Sequence, residues 1–81
     1  MDIRYKDIIT LDDGHDYVVT SMANYENNQY YYVVNIKNIS VVKFLKLIIA
    51  NDNFFLKEVV DDALILKLMP ILLSNIIEDI K

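Results

Sequence analysis

Asp12-Asp13-Gly14-His15-Asp16 sets the chain's single histidine among three carboxylates, residue types that ligate metals or move protons. As a metal site the run supplies oxygens and one imidazole. The ligands are adjacent, however, instead of alternating as in a calcium loop, and no distant partner completes the set. As a general base, His15 would need a serine to activate or a carboxylate to orient it, and no recognisable motif places either. The same five residues are what a hairpin turn requires, with Asp bonding its own backbone and Gly14 accepting a left-handed conformation. With no cysteine and one glycine, thiolate zinc spacing and a Gly-rich phosphate loop are both excluded. The expectation is no catalytic residue, no metal ligand and no cofactor, in a protein that is not an enzyme.

The second group with chemical potential is Tyr25, Tyr30, Tyr31 and Tyr32, whose large rigid rings could stack bases or anchor a partner. Strand alternation sends Tyr30 and Tyr32 to the core or its rim and Tyr31 to the opposite surface, as a candidate partner-binding residue. No arginine is interleaved, so nucleic acid is not expected.

The frame that must position these residues is one domain over residues 1–81, since so short a chain buries a single small core. A hydrophobic content of 54% with one Gly and one Pro excludes disorder. Net charge is −4, but Lys37 to Lys57 carries four bases against one acid, between two acidic flanks. Lysines on a solvated strand edge account for that segregation. The absence of cysteine and the polar stretch Met1 to Lys6, without an apolar signal core, point to the cytoplasm.

Period-two alternation and turn residues predict strands over Asp7–Leu11, Tyr17–Tyr25, Tyr30–Ile36, residues 41–50 and Phe54–Val60. A bulged three-residue loop at Gly14 would set Leu11 opposite Tyr17. A tight turn on Asn27 and Asn28 would set Tyr25 opposite Tyr30, and a three-residue loop over Asn51-Asp52-Asn53 would set Lys46 opposite Glu58. Unbroken alternation then gathers Ile9, Leu11, Tyr17, Val19, Ser21, Ala23, Tyr25, Tyr30, Tyr32, Val34 and Ile36 on one core face. Residues 41–50 also carry some helical spacing, but the Lys46–Glu58 and Ile48–Leu56 pairings favour a strand. The fold class is α+β, an antiparallel meander of about five strands with one C-terminal helix packed on one face.

That helix, Asp61 to Lys81, has a narrow polar stripe of Lys67, Ser74, Glu78 and Lys81 and an interior Pro70 expected to kink it. Ile65, Leu66, Met69, Leu72, Leu73, Ile76, Ile77 and Ile80 make a broad apolar face that should take the sheet. Leu64, Leu68 and Ile71 form a second stripe, free for a partner. Ala63 to Ile77 is too short and too interrupted to span a bilayer, so no membrane is expected.

The runs Ile8-Ile9-Thr10-Leu11-Asp12-Asp13-Gly14, Tyr17-Val18-Val19, Tyr30-Tyr31-Tyr32-Val33-Val34 and Glu58-Val59-Val60-Asp61 resemble the YrzB-like family of short bacterial proteins of unknown function. The resemblance implies strands leading to a C-terminal helix in a cytoplasmic protein and carries over no catalytic residue. The chain is less acidic than that family, and its helix is more apolar. The function expected is a non-enzymatic protein-binding module, homodimeric through Leu64, Leu68 and Ile71. The alternative is a small phage-type or regulatory inhibitor that binds a larger protein through the acids of the first hairpin.

Overall fold

The computed structural model describes residues 3–80, with side-chain surroundings through residue 75. Five strands, β1 (Ile8–Thr10), β2 (Asp16–Tyr25), β3 (Asn28–Asn35), β4 (Val42–Ala50) and β5 (Asn53–Glu58), precede one helix, α1 (Asp62–Ile80). The strands lie in sequence order, each antiparallel to the next, so the α+β meander read from the sequence is the fold. Val42 to Ala50 is a strand, as expected, although it does not form the Lys46–Glu58 and Ile48–Leu56 pairs that favoured one.

All three hairpin registers differ from the expected ones: the first and third turns close more tightly than expected, and the second is as tight but begins one residue earlier. The first is a three-residue loop with Gly14 at φ 81°, in which the Gly14 N–H donates to the Leu11 carbonyl and the Leu11 N–H to the His15 carbonyl. Ile9 therefore opposes Tyr17, two residues from expectation but on the same face. The second turn is Glu26-Asn27, both left-handed at φ 49° and 66°, which sets Ala23 opposite Tyr30. The third is a two-residue turn on Asn51-Asp52, at φ 50° and 66°, with Leu45 opposite Glu58 and Lys46 opposite Lys57. Two left-handed residues match the twist of the flanking strands, and Asn and Asp tolerate that conformation best.

A bulge in β2 reorganises the faces. Val19 pairs with Val33 and Ser21 with Tyr32, leaving Thr20 as an extra residue. Alternation reverses there, so the single core face expected from the sequence is split. Tyr17, Val19, Tyr31, Val33 and Leu45 cluster on one side, with Ile9, Leu11, Met22, Leu47 and Leu56 against them. Tyr30, Phe44, Leu68 and Leu72 cluster on the other, with Ala23, Tyr25 and Tyr32. In a flat sheet β1 and β5 would lie roughly 19 Å apart, four strand spacings. Leu11 and Leu56 nevertheless share one cluster, so the sheet curls to bury its concave face on itself while α1 covers the convex face.

The helix begins where the sequence placed it: Asp61 caps the Ala63 N–H through Oδ1 at 3.0 Å, and its carbonyl accepts the first helical bond from Ile65. Its covered side is rotated from the expected one: Leu72 and Ile65 take the sheet as expected, but Leu64 and Leu68 join them in place of Leu66, Met69 and Leu73. Leu68 and Leu72 are fully buried and Leu64 and Ile65 pack beside them, while Leu66 is 70% exposed and Met69 and Leu73 also face outward. The physical reason is the docking geometry: the Ser21 hydroxyl donates to the Leu72 carbonyl and Asn75 Nδ2 to the Met22 carbonyl, both at 2.7 Å, which fixes the rotation of α1 on β2. Ile76, Ile77, Ile80, Glu78 and Lys81, also assigned to helix faces above, lie outside the described side chains.

Candidate functional site

The curl of the sheet brings four polar side chains together at the mouth of the concave face. Asp13 comes from the first turn, Tyr17 from β2, Lys43 from β4 and Glu58 from the end of β5. Lys43 Nζ lies 3.3 Å from Asp13 Oδ2 and 3.0 Å from Glu58 Oε1, and 5.7 Å from the centroid of the Tyr17 ring. The Tyr17 hydroxyl donates to Asp13 Oδ2 at 2.7 Å, and the His15 backbone N–H donates to Asp13 Oδ1 at 2.9 Å. Asp13 is placed to receive these bonds because Gly14 turns the chain back under it.

These contacts move Asp13, Tyr17 and Lys43 away from neutrality. The His15 amide, then the Tyr17 hydroxyl and Lys43, hold the Asp13 carboxyl down at about 2. The bond to Asp13 raises Tyr17 above 10.0, and Glu58 followed by Asp13 raises Lys43 above 10.5. A carboxylate, a phenol and an ammonium fixed in these states hold one another in place at neutral pH; none is poised to exchange a proton there. The cluster ties the first turn and strands β2, β4 and β5 together, closing the curl.

Beside it opens a cleft of about 590 Å³. Leu11, Asp12 and Asp13 line one wall, Phe54 and Leu56 of β5 the other, and Leu45 lies in its lining below Lys43. On the far side of Lys43 a second hollow of about 400 Å³ is lined by His15, Asn35 and Lys37. The Asn35 side chain, buried, accepts the backbone N–H groups of Lys37 and Asn38 and shapes that rim. His15 itself is exposed, and among the described residues no group of three His, Cys, Asp or Glu side chains converges to hold a metal.

The residues expected to bind a partner are not on one surface. Leu68 is fully buried under the sheet, and Tyr31 does lie on the face opposite Tyr30 and Tyr32, but at 4% exposure that face is the concave core and not an open surface. Leu64 is half-buried beside the cluster of Tyr30, Phe44, Leu68 and Leu72, and Ile71 is half-buried too. Leu64 and Leu68 thus belong to the sheet-facing side of α1, and an association surface that needs Leu68 and Tyr31 exposed is corrected. Tyr31 is covered because the sheet curls and buries that face on itself.

Sequence reasoning also missed the Lys43 cluster, having paired Glu58 with Lys46. A two-residue turn on Asn51-Asp52 would have revealed it, because that register puts Lys43 on the same face as Leu45 and Leu56 and one diagonal step from Glu58. Among the described residues no helix is long and apolar enough to cross a membrane. The chain matches no family model, no curated protein and no solved structure.

Proposed function

We propose that the chain is a non-enzymatic protein-binding module that pairs with a second copy of itself through the outer face of α1. The observation that carries this reading is the outward row Leu66, Met69 and Leu73, at 70%, 37% and 38% exposure, spaced three and four residues apart on one side of a helix. That spacing forms a continuous apolar ridge, the arrangement one helix offers another. An antiparallel pair suits the charges. A parallel pair would set the acidic N-terminal turn of Asp61 and Asp62 against its own copy and bring the two Lys67 side chains together.

Each leucine removes about 1.5–3 kcal/mol of apolar exposure only when fully covered, against an association cost of roughly 4–15 kcal/mol. The pair is therefore weak, with a dissociation constant in the micromolar range or above, and populated at high local concentration. Asp13, Tyr17 and Lys43 at the concave mouth are each held away from proton exchange near neutral pH, which favours binding over catalysis. The likeness to the YrzB-like family, a proposal carried by the strand residues quoted above, adds no partner. Sedimentation of the native protein across a concentration series tests the reading: mass should rise with concentration, and Leu66→Asp should hold the protein monomeric with an unchanged circular dichroism spectrum. A native protein that stays monomeric throughout, or a Leu66→Asp variant that still associates, refutes it.

A further inference from the structure

The concave cleft is bounded by the two edges of the same sheet, and they are unequal. β1 has three residues, while β5 has six and, among the described residues, no strand lies beyond it. In a hairpin closed by a two-residue turn between Ala50 and Asn53, the pairs 48/55 and 46/57 exchange the ladder bonds. Phe54, Leu56 and Glu58 therefore turn their backbone N–H and C=O groups outward, and the side chains of the same three residues face the cleft. An open edge of this length is a template for another strand.

The lining specifies what kind of strand. Phe54, Leu11, Leu45 and Leu56 form an apolar floor, whereas the rim holds three carboxylates, Asp12, Asp13 and Glu58, against the single ammonium of Lys43. Lys43 is already engaged by Asp13 and Glu58, which leaves Asp12 without an ion-pair partner among the described residues. A second copy's β5 is a poor occupant, because antiparallel pairing about Leu56 sets Glu58 across from Phe54 and brings two acidic rims together. A basic segment has the complementary charge. We propose that this cleft docks an extended peptide segment by strand addition to β5, with apolar side chains inward over Phe54 and Leu56 and a lysine or arginine reaching Asp12. This does not depend on the pairing through α1, which uses the opposite side of the sheet.

The test uses the full chain and two blocked peptides in which threonine alternates with inward residues: valine, valine and lysine in one, valine, valine and glutamate in the other. Titration with the lysine peptide should slow amide exchange at Phe54, Leu56 and Glu58, and the glutamate peptide should bind about tenfold more weakly. Asp12→Lys, an exposed turn substitution, should invert that preference. Equal affinities for the two peptides, an unchanged preference in Asp12→Lys, or binding that leaves the three amides unaffected overturns the proposal. So does concentration-dependent protection of those amides without peptide, which would assign the edge to a second copy.

Discussion

The Ser21 hydroxyl donates to the Leu72 carbonyl at 2.7 Å across 51 residues of sequence, and both residues are almost completely buried. The serine reaches the helix only because Thr20 bulges out of β2 and turns Ser21 to the convex face. A small residue is needed there for α1 to approach, and a donor is needed to fix its rotation. Ser21→Ala keeps the space and removes the bond, so it should destabilise the fold by about 1 kcal/mol. For a domain of this size that is a fall of roughly 4–8 °C in Tm, measurable by calorimetry.

Glu26 occupies the first left-handed position of the β2–β3 turn at φ 49°, followed by Asn27 at φ 66°. Asparagine accepts that conformation at lower cost than glutamate, because its short side chain bonds the local backbone. Glu26→Asn should therefore stabilise by about 0.5–1 kcal/mol, while Asn27→Val, β-branched at a positive φ, should destabilise by about 1–2 kcal/mol. Urea unfolding of the two variants should move the midpoint in opposite directions with the same m-value.

Asp13 ionises at about 2 in the folded chain against an ordinary 3.8. A carboxyl whose folded pKa is depressed stabilises the fold fully above the unfolded value. That contribution fades as pH falls from about 3.8 toward about 2, because the unfolded chain takes up the proton first. Asp13→Asn should lose stability at neutral pH and show a shallower decline through that window when unfolding midpoints are compared. Lys43 and Tyr17, raised above 10.5 and 10.0, act at the other end: their contributions are present below those values and lost as alkali deprotonates them.

The fold was legible because local signals agreed: turn residues punctuate alternating runs, and Asp61 announces a helix. The candidate site was not, because it depends on two features with weak sequence signatures. One is the left-handed pair Asn51-Asp52, whose register decides whether Lys43 or Lys46 meets Glu58. The other is the bulge at Thr20, a residue no different in type from its strand neighbours. One inserted residue put Tyr17 and Val19 on the face opposite Ser21 and Ala23, with which uninterrupted alternation groups them. Such a shift is settled by packing on both sides of the sheet, which no single strand encodes.

The exchange of Leu66 and Leu68 between the open and covered sides of α1 gives the sharpest contrast between neighbouring leucines. At 100° per residue Leu66 and Leu68 point about 160° apart, once the longer arc is closed. The sheet can therefore cover only one of them. Leu68 is fully buried among Tyr30, Phe44 and Leu72, whereas Leu66 is 70% exposed. Leu68→Ala should leave a cavity and destabilise by about 2–5 kcal/mol, but Leu66→Ala should change stability by less than about 0.5 kcal/mol at a concentration where the protein is monomeric. Chemical unfolding of the two variants reads the difference directly. Equal losses would mean that both sides of α1 are covered, and a larger loss at Leu66 would mean that the helix sits on the sheet by the face the sequence periodicity first suggested.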